Sequence, residues 1–189
     1  MPNLGFDVIA GWNLAVGVQR PMDMTASTGV RWPAVQPWLS TAARLGLAAV
    51  WLIAGGAKVT DLAGSGRAVN AYQVFPYDLA MIIGAALPLV ELALGVLLLV
   101  GLATRLAAGV SAGLLVVFIA GISSAWARGL RIDCGCFGVG GELAAGQSPG
   151  YGLEIARDLA FLALAGFLLW FPRTLGSADA IINHRFSDE

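Results

Sequence analysis

The sequence predicts an all-α fold, a multi-pass membrane protein built as a bundle of four transmembrane helices. Three observations predict it. The 189-residue chain is 58% hydrophobic and only 12% charged, against about 25% charged in soluble domains. Four segments reach the roughly 20 apolar residues needed to cross a bilayer. Those segments are filled by Ala, Leu, Gly and Val, a mix that lets membrane helices pack closely. The net charge of -1 offers no electrostatic footprint for nucleic acid, so the expected surroundings are lipid and protein.

The spans run from Leu39 to Val59, Leu79 to Gly101, Leu106 to Ala127 and Leu153 to Phe171. Each is expected to be helical, because lipid leaves a single segment no other way to satisfy its backbone groups. Gly101 to Arg105 is long enough only for a tight turn, so the second and third helices are antiparallel neighbours. The chain divides into a leader (1–37), a membrane domain (38–172) and a C-terminal tail (173–189). The apolar stretch of the leader, "MPNLGFDVIAGWNLAVGVQRP", is short and lacks a basic start, unlike a signal peptide. Two readings remain for it: translation that begins at Met22 or Met24, or a segment lying in the membrane interface.

Four spans place both termini on one side. Arg20, Arg31, Arg44, Arg105, Arg173 and Arg185 fall there, against Lys58, Arg67, Arg128, Arg131 and Arg157 on the other. Six against five gives the positive-inside rule no purchase. Trp38, Trp51, Trp126, Trp170, Tyr72 and Tyr77 are expected near span ends as interface aromatics.

"RIDCGCFG", after the third span, contains both cysteines of the chain, Cys134 and Cys136. Such a pair has three readings: a dithiol–disulfide couple, a soft-metal site, or two inert buried cysteines. The glycine-rich, polar surroundings disfavour inert cysteines. For the redox reading, Gly135 lets the backbone fold and bring the Cα atoms near the roughly 5.5 Å a disulfide prefers. So small a ring is strained, and strained disulfides are labile and oxidising. Arg131, just upstream, favours a thiolate; Asp133 is placed to accept or relay a proton. Zinc requires four ligands, and this loop has three at most: two thiolates and Asp133. Copper(I) is content with two thiolates.

Ionisable residues inside a membrane are functional suspects. Glu91 lies mid-helix in "LPLVELALG", either as a proton carrier or polar wall of a quinone-like pocket, or as a neutral group bonded to a neighbouring helix. Asp158, in "EIARDLAF", is a second candidate for that pocket. Lys58, Arg157 and Asp158 share the helix ends that carry the cysteine loop and are expected to surround it. The sequence has no flavin, haem or nucleotide motif, so any cofactor is expected to be diffusible, with a quinone as the candidate electron acceptor, or absent.

"ARGLRIDCGCFG" resembles the MauE family of methylamine utilisation proteins, within the wider DoxX-like membrane proteins. "RLGLAAVWLIAGGAKVTD", "AVNAYQVFP" and "LPLVELALGVLLLVGLATR" extend the resemblance over roughly Ala42 to Phe171. It implies a role in maturing the disulfide-rich small subunit of methylamine dehydrogenase, with a thioredoxin-like or other extracytoplasmic thiol protein as partner. It further implies thiol–disulfide exchange at Cys134 and Cys136, and a cysteine loop outside the cytoplasm with both termini inside, in the inner (plasma) membrane. That placement agrees with the rarity of disulfides in the cytosol. The alternative is a non-enzymatic assembly or docking factor, or a copper(I)-holding protein.

Overall fold

Each expected span forms a helix in the structure, a computed structural model that describes residues 32–179 apart from Val139 and Ala145. Both readings of the leader, and His184, lie outside the described residues, as do Arg20, Arg31 and Arg185.

Helix α1 runs over Trp32–Lys58 and starts seven positions before the expected Leu39. Of the prolines there, Pro33 falls in the first turn, where a missing N–H costs little, and Pro37 lies one turn further in, inside the helix, where it removes one backbone bond. The first connection holds an unexpected helix, α2 (Leu62–Ala71), capped by Asp61, whose side chain accepts the Gly64 N–H at 2.7 Å. Helix α3 (Tyr77–Val100) ends at Gly101, which takes a left-handed φ of 74° and donates its N–H to the Leu97 carbonyl. The tight turn then leads directly into α4 (Thr104–Ala127). A second unexpected element follows, an antiparallel pair of short strands: β1 (Ile132–Asp133) and β2 (Gly141–Glu142). Helix α5 (Tyr151–Trp170) closes the fold.

Three helical segments are long and apolar enough to cross a membrane: Val35–Lys58, Tyr77–Val100 and Thr104–Ala127. The protein is therefore a multi-pass membrane protein by length and composition. Helix α5, the fourth expected span, is not among them, because Glu154, Arg157 and Asp158 crowd its first two turns.

Small residues set the packing. Helix α1 lies so close to α3 that a Cβ on Gly55 would sit 2.8 Å from the Pro88 carbonyl oxygen. Helix α2 meets α3 as tightly: a Cβ on Gly84 would sit 2.4 Å from the Ser65 carbonyl oxygen. Helix α5 packs on α4 and α1. Leu47, Trp51, Leu98, Leu115 and Leu168 fill the centre. Trp51, expected at a span end, is instead a core residue whose Nε1 donates to Ser111 Oγ at 2.9 Å.

At the end of the bundle opposite the cysteines, Arg44 is buried and acts as a cap. Its Nη1 donates to the Leu98 and Leu99 carbonyls at 3.0 and 3.2 Å, and its Nη2 to the Leu175 carbonyl at 3.2 Å. The Leu98 and Leu99 carbonyls end α3, where the last carbonyls lack partners within the helix, and the Leu175 carbonyl belongs to the segment after α5.

Candidate functional site

Cys134 and Cys136 lie in the connection from β1 to β2, over the ends of α1, α2, α4 and α5. Two glycines make this shape. Gly135 has φ 70° and Gly140 φ 64°, conformations that cost side-chain-bearing residues free energy. They also touch: a Cβ on Gly140 would lie 2.4 Å from the Gly135 Cα. Asp133 Oδ1 accepts the Gly135 N–H at 2.8 Å and tightens the turn. Tyr151 anchors the loop to α5, its hydroxyl donating to the Leu130 carbonyl at 2.6 Å and accepting the Ile132 N–H at 3.1 Å.

Both cysteines are free thiols, partly buried. Cys134 Sγ accepts the Cys136 backbone N–H at 3.4 Å and Arg157 Nη2 at 3.6 Å. Its pKa lies below the ordinary thiol value, first because the Cys136 thiol donates to it, then through the Cys136 N–H and Arg157, against the opposing effect of burial. The Cys136 thiol is pushed far up by giving its proton to that bond and by burial. The hydrogen bonds thus divide the pair into an acceptor, Cys134, and a donor, Cys136, and Cys134 is the readier of the two to lose its proton.

Arg157 is held in place on three sides. Its Nε and Nη2 lie 3.0 and 2.9 Å from Asp158 Oδ1, and its guanidinium stacks 4.9 Å from the Phe137 ring centre. Phe137 in turn meets Phe161 edge-on at 6.4 Å. On the opposite wall, Lys58 and Glu91 form a buried ion pair at 2.6 Å. Glu91 Oε2 and Asp158 Oδ2 are buried with no hydrogen-bond partner among the described residues. Both residues line a void of about 20 Å³ with Cys136, Phe137 and Phe161, enough for about one water and far short of a quinone ring.

A much larger cavity, about 430 Å³, lies on the other side of the cysteines between α2, α3 and α4. Lys58, Tyr72, Cys134 and Cys136 line it with apolar residues. The Tyr72 hydroxyl donates to the Cys134 carbonyl at 3.3 Å, and burial raises its pKa well above the ordinary value, with Cys134 adding to the effect.

The structure brings together Lys58, Arg157, Asp158 and the two cysteines, as the shared helix ends suggest. Arg131 is placed elsewhere: its Nη2 donates to the Gln147 carbonyl, and Arg157 stands at the thiol in its stead. Asp133 serves the turn, although its carboxylate, the Cys134 sulfur and a Glu154 oxygen all lie within 4.8 Å of one another. Such a cluster of one sulfur and two carboxylates is a poor match for copper(I), which prefers soft ligands.

Sequence reasoning missed Tyr72 and Glu154. For Glu154 a signal exists. Glu154, Arg157 and Asp158 are spaced i, i+3, i+4, which puts all three on one helix face. Tyr72 has no local signal, since its role depends on where α2 ends.

A family comparison matches residues 36–171 to the family described as methylamine utilisation protein MauE. The methylamine utilization protein MauE of Paracoccus denitrificans is 33% identical over 132 residues, which covers 69% of this chain and 68% of that protein. No solved structure matches. The matched residues contain every side chain of the site, from Lys58 to Asp158, and on that extent of match the chain belongs to the MauE family.

Proposed function

We propose that the protein is a membrane thiol–disulfide oxidoreductase of methylamine utilisation, which oxidises an extracytoplasmic thioredoxin-like partner through Cys134 and Cys136. One observation carries the proposal: the Cys134 sulfur is served by the Cys136 N–H at 3.4 Å and the Arg157 guanidinium at 3.6 Å, while Cys136 keeps its proton. A stabilised thiolate favours the reduced form of the pair, which makes its disulfide a stronger oxidant.

A partner thiolate attacks Cys134 Sγ in the Cys134–Cys136 disulfide. The Cys134–Cys136 bond breaks, a mixed disulfide forms, and Cys136 leaves and takes a proton. The partner's second thiolate then displaces Cys134, which departs as the thiolate that Arg157 holds. The partner is oxidised by two electrons and the pair is reduced by two.

In cells, Cys136→Ser is expected to accumulate a mixed disulfide between Cys134 and its partner, released by dithiothreitol, while Cys134→Ser traps none. A Cys136→Ser strain that traps nothing and matures methylamine dehydrogenase at the wild-type rate would overturn the proposal. The paired sulfurs also support a second reading, a docking factor that holds copper(I). That reading expects stoichiometric copper after anaerobic purification, lost in the double cysteine variant, with partner co-purification unchanged.

A further inference from the structure

Electrons that arrive on the Cys134–Cys136 pair need an exit, and the 430 Å³ cavity borders both sulfurs. Its walls are Phe75, Ile83, Leu87, Leu114, Val117 and Phe118. Its size and apolar lining with a few polar groups match small-molecule sites, which run about 300–1,000 Å³. Val74 and Val117 on its rim are 55% and 63% exposed. Val117 belongs to a membrane-crossing segment, so this rim faces the hydrocarbon, and an occupant arrives from the bilayer.

The polar end of the cavity says what the occupant carries. Lys58, only 4% exposed, holds Glu91 at 2.6 Å and is also a lining residue of the cavity. A buried cation in an apolar cavity favours an oxygen that gains negative charge. Tyr72 lines the same cavity. A hydrocarbon tail has no use for Lys58, and a phospholipid head group is too polar for the walls. A flat, lipid-soluble ring with carbonyl oxygens satisfies both.

We propose that this cavity between α2, α3 and α4 is the binding site of an isoprenoid quinone that oxidises the Cys134–Cys136 dithiol. The inference rests on the thiol-exchange reading and adds the acceptor and its location, away from the small void at Glu91 and Asp158. The step balances: the Cys134 thiolate and the Cys136 thiol join in one S–S bond and give up two electrons, and the quinone takes these with two protons, one from the Cys136 thiol and one from the solvent that received the Cys134 proton, and leaves as quinol.

The test uses the full chain, reduced and placed in nanodiscs, with decylubiquinone as the probe. The expected result is one equivalent of quinol per disulfide formed, with saturation in quinone. Gly121→Leu, which grows into the cavity toward Tyr72, is expected to slow quinol formation at least tenfold. Val117→Trp at the rim is the second variant should the first fold poorly, and it is expected to raise the half-saturating quinone concentration. Both are expected to leave reduction of the oxidised pair by a thioredoxin within twofold of wild type. If thioredoxin exchange is normal but decylubiquinone is not reduced, or both variants reduce it at the wild-type rate, the cavity assignment falls and the thiol reading stands. If the pair exchanges with no thiol protein at all, both fall.

Discussion

Arg157 joins Cys134 to Asp158: its Nη2 lies 3.6 Å from the Cys134 sulfur and 2.9 Å from Asp158 Oδ1. The carboxylate fixes the guanidinium, and the guanidinium donates to the sulfur, so a carboxylate on α5 positions a cation for a thiol on a loop. Because hydrogen bonding lowers the Cys134 pKa and raises that of Cys136, alkylation of the reduced protein reports mainly Cys134. Its rate rises with pH through the lowered Cys134 pKa. Losing a hydrogen bond from a charged donor costs about 1.5 kcal/mol, so Arg157→Gln is expected to slow alkylation at pH 7 about tenfold and move the inflection to higher pH. The stability contribution has the matching sign. A depressed folded pKa stabilises the fold fully above the ordinary thiol value of 9.0, and the contribution fades as pH falls through the folded value. Arg157→Gln flattens that dependence. An unchanged alkylation profile would remove Arg157 from the site.

The Lys58–Glu91 pair at 2.6 Å is buried on both sides. Removing one partner leaves the other as an uncompensated charge, at about 3–5 kcal/mol, whereas replacing both with apolar residues is often neutral. Lys58→Met and Glu91→Leu are each expected to lower the unfolding midpoint in detergent sharply, and the double variant to recover most of the loss. Additive effects would show that the two residues act independently.

Helices α1, α3 and α4 were readable because an apolar run of spanning length has few other fates in lipid, whereas α5 is a helix whose charged first turns keep it out of that class. Helix α2 was hidden: "LAGSGRAVNA" is rich in glycine and a poor helix former, and it holds its shape by packing against α3 at Gly84. The cysteine pair was readable from its two thiols and glycines, and its charged neighbours from the helix ends they share. Arg131 was misplaced because closeness in sequence does not fix direction. It precedes a strand, and its side chain leaves the loop for Gln147. Tyr72 was taken for an interface aromatic because only the fold carries the end of α2 over to Cys134.

The segment after α5 is docked on the bundle. Asp179 Oδ1 and Oδ2 accept the Ala103 and Thr104 N–H groups at 2.7 and 2.9 Å, capping α4. Removing a helix cap costs about 1 kcal/mol. Asp179→Ala is expected to lower the unfolding midpoint by a few degrees and Asp179→Asn, which keeps one acceptor oxygen and sets its NH2 against the other N–H, by less, with quinone and thiol reactions unaffected. Equal midpoints for Asp179→Ala and wild type would show that this cap does not hold in the membrane protein.

Gly140 packs against Gly135, the residue between the two cysteines. At φ 64° it occupies a region that disfavours other residues, and an added Cβ would lie 2.4 Å from the Gly135 Cα and 2.8 Å from its nitrogen. Neither neighbour is a flexible side chain that can yield, so Gly140→Ala must open the loop. The strain is about 1–3 kcal/mol, enough to break the hydrogen bonds that divide Cys134 from Cys136. The expected result is a change in stoichiometry: maleimide at pH 7 labels mainly one thiol in the reduced wild type and both in Gly140→Ala. Gly138→Ala is the control, because a Cβ there meets nothing within 4 Å. Should the two variants label alike, the contact between Gly135 and Gly140 is not what separates the thiols.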